Sequence, residues 1–343
     1  MFGISSFRNA RSGLIALSPL LASLLACGVP SAASAQAAKS EKYTVVLQFP
    51  LKVGNTAEMF NATGIALDAS GNIYVAGSIA GAEEYSPTGQ WKRSFGTGHH
   101  FSPMPLGGII HDPGGAMANP AGGRMYTPFG IALDAAGNVY IVDDMTLAIL
   151  KFASDGSYLG ACAIPKKDPS ADQQPNIIGI AMDAQGSFYL GDAASESIMK
   201  LDGDGTPRAD YGSRGSGLGQ FNGLRFLTVD GSEIYAVDCH NTRVVMLKTD
   251  GTFERTFGGP GTGNGQFTSA DGIGVDGNHN VYVADGQRVQ KFTKDGTFRT
   301  VIDSQLGSSV GTLSGILGIA VSKDGTVYVP DQRHRVIVFK PAP

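Results

Sequence analysis

Gly272-Ile-Gly-Val-Asp276, Gly277-Asn-His-Asn280 and Val281-Tyr-Val-Ala-Asp285 form one continuous phrase: a short apolar run, a polar turn, and a second apolar run closing on an aspartate. Five other stretches repeat it, at Gly64 to Val75, Gly130 to Ile141, Gly179 to Leu190, Leu224 to Ala236 and Gly318 to Val329. The aspartate that ends the first run falls at Asp68, Asp134, Asp183, Asp230 and Asp276, with Ser322 in the sixth copy, so successive steps are 66, 49, 47, 46 and 46 residues. A period in the middle forties is that of one four-stranded propeller blade. The six copies predict an all-β protein, a six-bladed β-propeller of four-stranded antiparallel blades occupying residues 36–343 as one domain.

Each copy extends into a whole blade. After the phrase, Arg288-Val-Gln-Lys-Phe292 alternates as a third strand, Lys294-Asp295-Gly296 is a hairpin turn, and Phe298-Arg-Thr-Val-Ile302 is the fourth. Equivalent turns recur at Thr88-Gly89, Asp155-Gly156, Asp204-Gly205 and Asp250-Gly251. Inner strands are apolar on both faces because blades stack on each other, and outer strands alternate. The repeated Tyr74, Tyr140, Tyr189, Tyr235, Tyr282 and Tyr328 supply bulk between blades, each with a hydroxyl able to reach a polar edge. The sixth copy runs out after Val336-Ile-Val-Phe339, whereas Tyr43-Thr-Val-Val-Leu-Gln-Phe49 precedes the first. That N-terminal segment is predicted to complete the last blade and close the ring, leaving no open sheet edge.

Tyr282-Val-Ala-Asp285 leading to Arg288-Val-Gln-Lys-Phe292, and Tyr235-Ala-Val-Asp238 leading to Asn241-Thr-Arg243-Val, resemble the NHL repeat, as do Phe257-Gly-Gly and Gly265-Gln-Phe267 between blades. The resemblance covers residues 43 to 340 and implies the fold much more specifically than the function, because NHL propellers include protein-binding, RNA-binding and lyase members. Blades one to three depart from it. Gly77 replaces the second aspartate in blade one, and the arginine opening the third strand (Arg243, Arg288, Arg335) is replaced by Gly81, Ala148 and Ser197.

Residues 1–35 read as a secretory signal peptide, with Arg8 and Arg11 before an apolar run from Gly13 to Ala26 and a small-residue end at Ala33-Ser34-Ala35. The run is too short for a transmembrane span. Leu24-Leu25-Ala26-Cys27 also resembles a lipobox, which would place a lipid anchor on Cys27. Either processing makes the protein exported, periplasmic or extracellular. The whole chain carries a net charge of −4, and two units more negative charge without Arg8 and Arg11, so it lacks the basic footprint that nucleic acid requires. Cys162 and Cys239 fall in different blades and are expected to be unbridged buried thiols.

Strand direction sorts the loops onto two faces. The long blade-to-blade connections and the loops after the second aspartate share one, where binding is expected to concentrate. The short stereotyped turns share the other. On the long-loop face, the segment from Gly96 to Thr127 contains His99, His100 and His111 with Met104, Met117 and Met125, a candidate zinc or copper site. A second constellation is basic: His240, Asn241 and Arg243 in blade four, Arg288 in blade five, and Arg333, His334 and Arg335 in blade six, whereas blade three has Asp192 and Glu196 at corresponding positions. These arginines would suit a carboxylate or phosphate; alternatively each ties its loop to the aspartate three to five residues before it. His240 and His334 occupy similar places, either as a proton-transfer pair or through repeat symmetry alone.

Three function classes follow. The first is an exported binding module that grips a protein, peptide or glycan on the long-loop face, using residues such as His240, Arg243, Arg288, His334, Arg335 and Asp192. The second is a metal-dependent propeller enzyme. The resemblance to the NHL-type peptidyl-hydroxyglycine lyase implies zinc-binding histidines at inner-strand entrances, yet Asn61-Ala-Thr63, Tyr126-Thr-Pro128, Pro175-Asn-Ile177, Phe221-Asn-Gly223, Ser269-Ala-Asp271 and Leu313-Ser-Gly315 hold none. A lactonase-like hydrolase would need carboxylates around axial calcium, to which Asp271 could contribute. The third is an assembly role in a cell envelope. No cofactor is firmly implied.

Overall fold

In the computed structural model, the described residues are 41–53, 57–58, 62–77, 81–96, 125, 127–166, 173–303 and 312–343. Residues 1–35, expected to be a signal peptide, with Cys27, and His99, His100 and His111 lie outside them, as do Met104 and Met117.

Six four-stranded antiparallel sheets form the blades of a β-propeller. Blade one is Ala62–Leu67, Ile73–Gly77, Gly81–Tyr85 and Trp91–Phe95; blade two is Pro128–Leu133, Val139–Asp143, Ala148–Phe152 and Tyr158–Ala163. Blade three is Ile177–Met182, Phe188–Asp192, Ser197–Leu201 and Pro207–Tyr211; blade four is Leu224–Asp230, Glu233–Asp238, Arg243–Lys248 and Phe253–Gly258. Blade five is Ala270–Val275, Val281–Asp285, Arg288–Phe292 and Phe298–Asp303. Blade six has Ala320–Val321, Val327–Asp331 and Arg335–Pro341, and takes its outer strand from Tyr43–Pro50. Among the described residues no helix is long and apolar enough to cross a membrane.

The closing strand pairs antiparallel from Tyr43 with Pro341 to Pro50 with Arg335. Its leading residues reach further, to blade five, where buried Lys291 pairs with Glu41 and the Tyr43 hydroxyl lies 3.0 Å from that of Tyr282. Successive side chains of a strand point to opposite sheet faces. Tyr282 therefore packs with Val327, Val329 and Phe339 of blade six, whereas Val281 and Val283 pack with Tyr235 and Val237 of blade four. The core is six such layers between blades rather than one central mass.

At the axis the inner strands approach to backbone contact. A Cβ on Gly64 would sit 2.5 Å from the Phe129 carbonyl oxygen, one on Gly272 2.5 Å from that of Leu317, and one on Gly318 2.6 Å from that of Thr63. The glycine that opens the repeated phrase is thus required by close approach. Blade four has no glycine at this place; its inner strand carries Phe226.

On the turn face of blades one, two, three and five, the first aspartate of the phrase folds the turn onto itself. Asp134 accepts the N–H groups of Ala136 and Asn138, the Asn138 amide, and the Tyr140 hydroxyl at 3.0 Å. Asp68, Asp183 and Asp276 receive Tyr74, Tyr189 and Tyr282 in the same way. The repeated tyrosine therefore fixes the turn of its own blade as well as filling space. In blade four the roles shift, with Tyr235 donating to Glu233 while Asp230 pairs with His279 of blade five at 2.6 Å.

Two outcomes are expected. Gly318→Ala should lower stability by about 1–3 kcal/mol in thermal or denaturant unfolding, because the added methyl meets backbone that cannot move aside. For Asp134, burial raises the carboxyl pKa but is outweighed by the hydrogen bonds from Asn138, Tyr140 and Ala136, and the net shift is downward. The stability this carboxylate contributes is complete above its unfolded pKa and is lost as pH falls through the depressed folded value. Asp134→Asn should accordingly narrow the gap in Tm between neutral and acidic solution.

Candidate functional site at the mouth of the axial channel

In blades two to five the aspartate ending the second strand is buried and collects backbone N–H groups of the connection entering its blade. Asp143 accepts Thr127 N–H at 2.6 Å, Asp192 that of Asn176 at 2.8 Å, Asp238 that of Asn222 at 2.7 Å, and Asp285 those of Thr268 and Ser269, each at 2.8 Å. A buried carboxylate is tolerated only when paired and hydrogen-bonded. Blades four to six supply the pairing with arginine.

Arg243 Nε donates to Asp238 at 2.8 Å while its terminal nitrogens donate to the carbonyls of Ser216, Gly217 and Gln220. Arg288 repeats this with Asp285 and the carbonyls of Thr262, Gly263 and Gln266. Arg335 pairs with Asp331, the Thr312 carbonyl and Gln48 of the closing strand. Of the two readings for these arginines, their contacts realise the loop tie. Asp192, lacking an arginine, is completed by Ala194 N–H and the Ser195 hydroxyl, and Asp143 by the Thr146 hydroxyl. Glu196, also buried, accepts Gly223 and Leu224 N–H and joins blade three to blade four.

His240 and His334 do not occupy equivalent places. His334 has φ of 57° and immediately precedes the third strand, the position of Thr242 at 51° and Glu196 at 53°. Its ring therefore corresponds to a turn residue. His240 is exposed, two residues earlier in a longer loop, with its ring against Gly223.

The feature not visible in the repeat is a β-bulge near the start of the inner strands. Between Ala62 and Gly64, Pro128 and Ile131, Ile177 and Gly179, Leu224 and Leu227, and Ala270 and Ile273, pairing with the second strand slips. Bulges bend a strand and re-aim side chains, often beside functional sites. The bulged residues Thr63, Phe129, Ile178, Arg225 and Asp271, with Leu317 at the matching place in blade six, each stand just before the glycine of the phrase or its replacement. They form a rim in blade order. Thr63 donates to the Phe129 carbonyl, Gly179 abuts the Arg225 carbonyl, and Gly272 and Gly318 abut the carbonyls of Leu317 and Thr63.

Beneath the rim runs an axial channel of about 240 Å³, lined by Gly64, Gly130, Ile180, Leu227, Gly274 and Ile319 among others. Its inner-strand edges turn backbone N–H and C=O groups toward the axis. On the rim, Arg225 Nε lies 3.4 Å from Asp271 Oδ1. Burial pushes the Asp271 carboxyl up, against the opposing effect of Arg225. Burial also raises the neighbouring Cys239 thiol, which like Cys162 is unbridged as expected but only half-buried rather than buried. Among the described residues no group of three or more His, Cys, Asp or Glu side chains is arranged to hold a metal ion.

No protein-family model matches the chain. No curated protein matches it in sequence. Solved structures match in fold. A streptogramin B lyase superposes with a TM-score of 0.55 at 12% identity, covering 86% of this chain and 98% of that one. A structural genomics protein of unknown function from Bacteroides thetaiotaomicron gives 0.58 at 14% identity, covering 84% and 72%. The WD40 β-propeller domain of Doa1 gives 0.53 at 11%, covering 88% and 97%. At these identities the likeness is one of propeller architecture.

Removing one partner of a buried pair leaves an uncompensated charge. Arg288→Ala should therefore cost about 3 kcal/mol of unfolding free energy, measured by chemical denaturation. Arg333→Ala, whose side chain bonds the exposed Thr312, should cost little.

Proposed function

We propose that the chain is an exported NHL-type propeller that binds a protein, peptide or glycan through its long-loop face. The observation that carries this reading is the asymmetry of the two faces. On the turn face the described turns are short, and in blades one, two, three and five an aspartate and a tyrosine close the turn between the first two strands. The long-loop face carries the rim of bulged residues, an incompletely bonded Arg225–Asp271 pair, and the exposed apolar side chains Met145 and Leu218. Rigid blades that hold variable loops at one end suit recognition. The leader in residues 1–35 supports delivery to an extracytoplasmic compartment, by cleavage after Ala35 or by lipidation at Cys27.

Peptide and glycan arrays probed with the labelled protein test this reading. Hits should be lost with the double variant Met145→Glu and Leu218→Glu and kept with Lys323→Glu on the turn face. Binding that survives the first variant and is lost with the second would overturn it.

A further inference from the structure

Among the described residues, the mouth of the channel holds one ion pair that the repeat does not account for. Arg225 and Asp271 are bulge residues of adjacent blades, and neither belongs to the Asp–Arg ties. Arg225 Nε is buried and makes no hydrogen bond among the described residues; its contact with Asp271 at 3.4 Å is an ion pair without hydrogen-bond geometry. Arg243 and Arg288, by contrast, each bond a carboxylate and three backbone carbonyls. The Arg225 side chain keeps 36% of its surface exposed, whereas that of Asp271 keeps 15%, so of the pair the arginine is the more accessible to a ligand on this rim. The other rim positions are Thr63, whose hydroxyl is already donated to backbone, and the apolar Phe129, Ile178 and Leu317, of which Phe129 and Leu317 are half-buried.

Resting on the binding function above, we infer that Arg225 receives a carboxylate borne on an apolar residue, the chemistry presented by the C-terminus of a peptide ending in an aliphatic side chain. A guanidinium offers a planar fork that matches a carboxylate. A phosphate fits less well, because its second negative charge would face Asp271 with one arginine to balance it. The rim's remaining side chains suit an aliphatic body and offer few partners to the hydroxyls of a sugar. A ligand carboxylate at Arg225 also stands near Asp271, so binding favours the protonated Asp271. The groups facing Asp271 are Arg225 from the adjacent inner strand, Ser269 before its own strand, Asp285 from the second strand, and His240 and Cys239 from the blade-four loop.

The test is calorimetric titration of the full-length protein with N-acetyl-leucine, its amide N-acetyl-leucinamide, and glucuronate. N-acetyl-leucine should bind about tenfold more tightly than the amide, the scale of a charge-assisted hydrogen bond, and more tightly than glucuronate. Arg225→Gln should erase the preference for acid over amide in protein that still unfolds cooperatively. Asp271→Asn should tighten N-acetyl-leucine binding at neutral pH, an effect that a purely structural Asp271 would not produce, and this variant keeps the inference open to test if Arg225→Gln does not fold. Equal binding of acid and amide, an unchanged preference in Arg225→Gln, weaker binding in Asp271→Asn, or glucuronate binding as tight as N-acetyl-leucine would each overturn the inference. Array hits that depend on Met145 and Leu218 but show no carboxylate preference would overturn it while leaving the binding function standing.

Discussion

The whole molecule depends on how closely six strands can gather around one axis. Gly64, Gly272 and Gly318 let neighbouring inner strands meet at distances where a Cβ would collide with a carbonyl oxygen. Each blade is then near enough to its neighbours to bury both faces of its second and third strands. That is why Val75, Ile141, Leu190, Ala236, Val283 and Val329 are all buried, and why aliphatic runs that would be unusual in a half-exposed antiparallel sheet recur here. The layers between blades follow from this spacing, and the channel below the rim is the space the six strands leave.

The two faces solve different polar problems. At the turn face, an aspartate gathers the donors of its own tight turn and of a tyrosine from the adjoining strand. At the long-loop face, a more deeply buried aspartate gathers donors from a connection arriving from another blade, so its carboxylate fixes tertiary rather than local geometry. In blades four and five arginine is added, and its terminal nitrogens bond carbonyls of the glycine-bearing stretches Gly215 to Gly219 and Gly261 to Gly265. Hydroxyls suffice for Asp143 and Asp192.

Much of the architecture was legible because its causes repeat. The two-phrase period reports the blade, and the lone strand Tyr43–Pro50 opposite an incomplete last copy reports the closure. The rim was legible only in part, through Thr63 and Asp271 at the inner-strand entrances, for the converse reason. Its residues precede the conserved-looking phrase by one place, vary from Thr63 to Arg225 to Leu317, and owe their position to a bulge that leaves no mark of composition. Arg225 was further hidden because blade four has Phe226 where the glycine would be. The signal available was positional: the residue before each opening glycine. Arg243, Arg288 and Arg335 stood out by recurring, and recurrence here reflects a tie that each of those blades needs. The apparent likeness of His240 and His334 failed on loop length, since blade four has one residue more between its aspartate and arginine than blade six.

The joint between Tyr43 and Pro341 brings together residues almost three hundred positions apart. No shorter length of chain can make it, so during synthesis or export the first strand must wait, unpaired, until the last one emerges. Until then blade six lacks an outer strand, blade one has no neighbour on one side, and both expose apolar layers built for contact. Contacts of such long range make folding slow and leave intermediates prone to association. Strands joined in this way give the ring an all-or-none character in time as well as in shape: it is finished when Arg335–Pro341 meets Tyr43–Pro50 or remains an open arc.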